Sequence, residues 1–223
     1  MVRRDAQVHS KGPAVSLALP EHVTFDGLDI AFDSRVLRPR PWTVAQAQWA
    51  ASLLTDLPPG PVLELCSGAG QIGLAAATRS QRRLVCIDVD PIAVHYTAIN
   101  ACLAGLDARV EARLGRVEDV LMDDERFPLI IADPPWVATA ETHRYPEDPL
   151  LAIDGGRDGL SIAHDALRAI ERHVHEAGLA LIQLGSSAQV AALMASGSGS
   201  LRCLEVRSYR GGVVAMLSRA FGG

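Results

Sequence analysis

The sequence predicts an α/β domain built on a mainly parallel, Rossmann-like sheet. From Pro61 onward short apolar runs alternate with helical segments, and the first run ends in a glycine-rich loop that opens a helix. Near the C-terminus two further apolar runs flank Gly211-Gly212 and predict a closing antiparallel hairpin. At 223 residues, 48% hydrophobic and 21% charged, the chain has the size and balance of one globular domain that buries its core without disulfides or metal staples.

Residues 1–20 lack periodicity and contain Gly12, Pro13 and Pro20, which predicts a flexible N-terminal arm before a single domain over 21–223. His22–Phe25 and Leu28–Phe32 flank Asp26-Gly27, a dipeptide suited to a type I′ turn, and predict a hairpin over 22–32. Arg38-Pro39-Arg40-Pro41 forces extended backbone after it. Thr43 then reads as the cap of a helix reaching about Asp56, with Val44, Ala47, Ala50, Ala51 and Leu54 on one face. Strands are expected at 61–66, 84–88, 109–113, 128–132 and 179–184, with helices at about 71–79, 91–104, 159–176 and 187–195. Ser196-Gly197-Ser198-Gly199-Ser200 reads as a flexible turn before the hairpin of 201–209 and 212–218.

Composition removes several function classes. No apolar stretch approaches a bilayer span, and Met1-Val2-Arg3-Arg4 leads into a polar segment rather than a signal-peptide core. Cys66, Cys86, Cys102 and Cys203 form no CxxC pair and lie in or beside apolar runs, so they are expected to be reduced core residues of a cytoplasmic protein, without metal. Lys11 is the only lysine, which argues against a P-loop or Schiff-base mechanism. A net charge of -5 gives no broad phosphate-binding surface, although Arg38, Arg40, Arg82 and Arg83 would suit a local nucleic-acid patch.

Two motifs carry chemistry. In Glu64-Leu65-Cys66-Ser67-Gly68-Ala69-Gly70-Gln71-Ile72-Gly73 a strand enters a loop where backbone can approach a ligand closely, and Asp88 ends the next strand. A carboxylate there accepts hydrogen bonds from a ribose diol, so the pattern fits NAD and S-adenosylmethionine alike. A tight turn with a solvent-facing Asp88 would account for it without any ligand. The segment Leu129 to Trp136 separates the cofactors: an apolar strand ends in Asp133-Pro134-Pro135-Trp136, at the carboxyl end where an open parallel sheet exposes its crevice. Asp133 and the Pro134 carbonyl could accept the two hydrogens of a planar NH2 group while Trp136 covers its flat face. A strand terminator followed by a core tryptophan is the alternative.

Together these stretches resemble the class I S-adenosylmethionine-dependent methyltransferases, and among them the HemK/PrmC-like glutamine methyltransferases, over about residues 22–220. ELCSGAGQIG, IDVDPIAV and DPPW, in place of the family's NPPY, carry the resemblance; VLRPRPWT, AIDGGRDGL and LIQLGSSAQ support it. The resemblance implies a seven-stranded sheet with the last strand antiparallel and S-adenosylmethionine as cofactor. It implies cofactor contacts at Glu64, Cys66, Gly68, Ala69, Gly70, Asp88, Val89, Val117 and Asp133, with Glu118 as the alternative to Val117. The acceptor nitrogen would meet Asp133, Pro134 and Trp136. The acceptor it implies is a planar amide or amino nitrogen of a protein glutamine or small molecule, with adenine or cytosine amines as the alternative. Two departures stand out: Asp133 replaces the family's Asn, and only about twenty weakly patterned residues precede the hairpin, where the family has a helical docking domain. Three weaker readings complete the list: the Asp154 to Gly159 loop beside the acceptor, with Asp158 as either a site residue or a helix cap; Trp42 and Thr43 folded over the cofactor; and His173 and His175 as one polar helix end.

Overall fold

The computed structural model describes residues 19–196 and 199–220. Most of the expected arm, with Lys11, and Gly197-Ser198 of the expected turn lie outside the described residues. β1 (Glu21–Phe25) and β2 (Leu28–Phe32) form the expected hairpin, with Asp26 and Gly27 at φ 49° and 87° in the turn. Then come α1 (Val44–Leu53), β3 (Val62–Leu65), α2 (Gln71–Ala77), β4 (Leu84–Asp88), α3 (Pro91–Leu103) and β5 (Val110–Leu114). α4 (Val117–Val120), β6 (Phe127–Ala132), α5 (Leu150–Ile153) and α6 (Ser161–His173) follow. Last among the described residues come β7 (Val174–Leu184), α7 (Ser187–Ala195), β8 (Leu201–Tyr209) and β9 (Gly212–Arg219).

β3 to β9 form one seven-stranded sheet in the order β5-β4-β3-β6-β7-β9-β8, with β9 antiparallel to both neighbours. The order reverses at β3, so a crevice opens between the carboxyl ends of β3, β4 and β6. β3 and β6 are buried throughout because helices cover both faces, which is why they read as continuous apolar runs. Edge strands differ: β5 carries Glu111 paired with Arg113 at 2.9 Å, and β8, largely exposed, carries Glu205 paired with Arg207 at 2.7 Å.

Several expectations need correction. Thr43 does not cap α1: its backbone is already helical (φ −75°, ψ −8°), and its hydroxyl donates to the Arg40 carbonyl at 2.9 Å. A 3-10 turn over Pro41–Thr43 starts the helix instead, since the proline ring holds φ where a first turn needs it. The buried face of α1 includes Gln46 and Trp49, which the apolar pattern left out, while Val44 and Ala51 are only half-buried. Cys102 and Cys203 are exposed, the first on the outer face of α3 and the second on the edge strand, although all four cysteines are free. His173 is buried at the end of α6 with Nδ1 against the Glu125 carbonyl at 3.1 Å, whereas His175 already belongs to β7, which starts five residues earlier than expected.

Two buried polar side chains lock the crevice wall. Asn100 of α3 bridges the hairpin and the glycine loop: Oδ1 accepts from the Ala31 amide at 2.8 Å, and Nδ2 donates to the carbonyls of Ala31 and Ala69, both at 2.9 Å. Glu64, in the middle of β3, accepts from the Gly73 amide at 2.9 Å and from the Cys86 thiol at 3.3 Å. A Cβ on Gly73 would stand 2.4 Å from Glu64 Oε2, so only glycine lets α2 approach this close. Burial pushes the Glu64 carboxyl up to about 7, opposed by the Gly73 and Cys86 bonds.

That shift predicts a pH effect. Folded Glu64 holds its proton over a range where the unfolded chain has released it, so its contribution to stability falls as pH rises from about 4.5 to about 7 and is flat above. Glu64→Gln keeps an acceptor for Gly73 without the charge. Urea unfolding should show the variant gaining on the wild type by up to about 3 kcal/mol across that window. Parallel stability curves would contradict the charge assignment.

Candidate active site

The strand-to-loop transition after β3 turns on left-handed backbone at Cys66 (φ 56°) and Gly68 (φ 55°). The Gly68 amide donates to Asp88 Oδ2 at 2.8 Å, and the Asp90 amide donates to Oδ1 at 2.9 Å. Asp88 therefore ties the loop to the end of β4 while each of its oxygens keeps a second lone pair. Burial raises its carboxyl above the ordinary range, and the backbone amides of Asp90, Gly68 and Val89 oppose the shift.

At the end of β6, Asp133 donates its amide to the Leu65 carbonyl at 3.4 Å, and its Oδ1 accepts from Gln183 Nε2 at 3.0 Å. Burial pushes this carboxyl up to about 7, and the Gln183 bond alone pulls it back. Gln183 is 4% exposed on β7. Gln46 of α1 donates to the carbonyls of Ala132, at the end of β6, and Leu181, inside β7, at 3.0 and 3.3 Å.

A cavity of about 770 Å³ lies over these strand ends. Cys66, Gly68, Asp88, Val89, Val117 and Asp133 all line it, together with Glu118, so both alternatives for the α4 contact face it. Glu64, Ala69 and Gly70 stand behind the wall instead. Glu64 and Ala69 are 2% and 0% exposed, and their polar atoms are spent on Gly73, Cys86 and Asn100. The Gly70 amide closes the loop on the Ser67 carbonyl at 2.8 Å. Pro134 is buried and Pro135 lines the cavity in its stead.

Trp136 faces elsewhere. Two prolines keep the chain extended, so successive side chains fall on opposite sides. Its ring lies against Gly185, where a Cβ would stand 2.6 Å from Cε3, and its carbonyl accepts from Gln189 Nε2 at 2.9 Å. There it lines a second, smaller cavity of about 260 Å³. Trp42, expected over the cofactor, packs on Gly211, and neither it nor Thr43 lines the main cavity. Asp154 borders that cavity, accepting from Thr139 Oγ1 at 2.7 Å and the Gly156 amide at 2.9 Å, whereas Asp158 caps the amide of Leu160 at 3.0 Å.

Sequence reasoning missed Gln183, Gln46 and the Arg35–Leu37 segment, which closes the cavity from the hairpin side. Only Gln183 left a signal, as a polar residue inside the apolar run of β7. Leu150 and Leu151 also line the cavity, 62% and 61% exposed, and the preceding Asp148 is ion-paired with Arg40 of the Arg-Pro-Arg-Pro stretch. No helix among the described residues is long and apolar enough to cross a membrane.

A family model described as Conserved hypothetical protein 95 matches residues 27–146. A release factor glutamine methyltransferase of Clostridium acetobutylicum is 27% identical over 175 residues, covering 75% of this chain and 61% of that protein. One from Agrobacterium fabrum is 32% identical over 197 residues, covering 81% and 66%. The chain thus spans less than two thirds of the length of these relatives. Among solved structures, a tRNA (uracil-54, C5)-methyltransferase of Pyrococcus abyssi, in complex with S-adenosyl-L-homocysteine, superimposes with a TM-score of 0.60 at 14% identity, over 89% of this chain and 44% of that one. With the doubly wound sheet and the crevice at its switch point already established, these matches give the assignment: the chain belongs to the Conserved hypothetical protein 95 family, has the class I methyltransferase fold, and counts glutamine methyltransferases among its relatives.

Proposed function

We propose that this protein transfers a methyl group from S-adenosylmethionine to a planar amide or amino nitrogen, with a protein glutamine side chain as the favoured acceptor. The observation that carries the reading is the meeting of Asp88, the glycine loop and Asp133 on one cavity of about 770 Å³. The described residues suit the cofactor: Asp88 retains lone pairs for a ribose diol, the loop offers a surface without side chain at Gly68, and Gln71 Oε1 is a buried acceptor with no partner among those residues. A dinucleotide site would account for Asp88 but not for the carboxylate and prolines that follow β6.

In this reading Asp88 would bind the ribose, and Val89 with Val117 or Glu118 the nucleobase. Bound there, the cofactor supplies a methyl group already activated on a sulfonium, so the protein's task is alignment and polarisation. Oδ1 of Asp133 is occupied by Gln183, which leaves Oδ2 to accept from an N–H of the incoming nitrogen. The nitrogen of an amide is a weak nucleophile because its lone pair is delocalised, and an anionic acceptor on its N–H offsets the positive charge that develops there. The proton released afterwards goes to Asp133 or to water. Relatives named for release factors and ribosomal protein uL3 support a protein acceptor and, with it, a cytoplasmic setting. The acidic balance of the chain disfavours long nucleic acid as the acceptor.

Two outcomes are expected. Asp88→Ala should weaken S-adenosylhomocysteine binding, read by calorimetry, by about 1.5–3 kcal/mol for each charged hydrogen bond lost, and undiminished affinity would remove Asp88 from the site. Asp133→Asn should keep single-turnover methyl transfer to a glutamine peptide within about tenfold of wild type. The Gln183 amide can turn over to accept from the new NH2, leaving the Asn oxygen for the substrate. Asp133→Ala should lose about 10²-fold or more. An Ala variant as fast as wild type would move the acceptor site away from Asp133.

A further inference from the structure

The charges lining the main cavity are lopsided. Asp88, Asp90, Glu118, Asp133, Asp154 and Asp165 supply carboxylates, and among the described residues the only cations are Arg35 and Arg116. Arg116 sits beside Val117, with Nε bonded to Glu118 and Nη2 3.8 Å from Asp165. Arg35 is held differently. Its Nε donates to both oxygens of Asp33 at 3.0 and 3.1 Å, and Nη2 donates to Asp33 Oδ2 at 2.5 Å. Asp33 is itself 1% exposed and is fixed further by the Arg35 amide at 2.9 Å and the Tyr96 hydroxyl at 2.8 Å. Nη1 takes no part in this fork, and the Arg35 side chain is 41% exposed on the cavity wall. A guanidinium locked by a buried carboxylate is ready to bind a second anion with little further loss of freedom.

Gln71 lines the same cavity at the first position of α2, and its Oε1 is buried without a donor. Buried acceptors are rarely left unpaired, so this oxygen points to a donor that the described residues do not supply. A guanidinium and an orphaned carbonyl lining one cavity are what a zwitterion requires. We propose that Arg35 and Gln71 recognise the amino-acid end of the methyl donor, Arg35 bonding its α-carboxylate and Gln71 Oε1 accepting from its α-ammonium. The assignment rests on the methyl-donor reading above. It also accounts for Arg35 in an otherwise acidic cavity, which would repel a free carboxylate.

Calorimetry on the full chain with three ligands tests it: S-adenosylhomocysteine, its decarboxylated analogue S-adenosyl-3-thiopropylamine, and 5′-methylthioadenosine, which lacks both charged groups. Arg35→Leu should weaken the first by about tenfold or more and leave the other two within about twofold. Gln71→Leu should weaken the first two and spare the third. Arg35→Lys keeps a cation for Asp33 but loses the fork, and should show the same carboxylate-selective loss even if the leucine variant fails to fold. Equal losses on all three ligands, or none on any, would overturn the assignment. A folded wild type that binds none of the three would instead overturn the methyl-donor reading itself.

Discussion

With 2% of its surface exposed, Glu64 sets the spacing of β3, β4 and α2 from a single carboxylate, one oxygen on the Gly73 amide and the other facing the Cys86 thiol. A charge in that position is costly unless it is hydrogen-bonded, and its carboxyl accordingly shifts toward the neutral form. Since a side chain on Gly73 would meet the carboxylate, the helix cannot move closer and the strand cannot lose the acid without loosening the turn above it. Cys66, Gly68 and the amide held by Asp88 all belong to that turn. The cavity floor is thus set one layer below the residues that line it.

The same division between support and contact recurs on the acceptor side. Gln46 binds carbonyls at the end of β6 and within β7, Gln183 orients Asp133, and the carboxylate facing the cavity is left with one oxygen without a hydrogen bond from the described residues. Asn100 plays the corresponding part for the glycine loop and the hairpin. A group that must be positioned closely is built on strand ends and held by buried amides.

The sheet was legible because its central strands are apolar on both faces and its turns are marked by glycine and proline. α4 and α5 were not: four residues each carry no period. Within the site, the residues that touch the cavity and those behind it share one contiguous motif, so the sequence could not separate Asp88, on the cavity, from Glu64, beneath it. Trp136 shows a similar limit, since the order of residues after β6 does not reveal that the second proline, and not the first, faces the cavity. Arg35 was not marked out because an Asp and an Arg two residues apart carry no chemical signature, and Tyr96, which completes the cluster, lies far off in sequence on α3.

The two outer strands of the sheet carry a consequence for behaviour in concentrated solution. An open strand edge offers unpaired amides and carbonyls to any extended chain that drifts past, and a flat apolar edge would template stacking of one molecule on the next. Here β5 and β8 each place a Glu–Arg pair along that edge, Glu111 with Arg113 and Glu205 with Arg207, while β3 and β6 keep their apolar runs inside. A newcomer strand would have to strip water from those charges before gaining its first ladder bond. Among the described residues the sheet has seven strands, and these pairs raise the cost of adding an eighth.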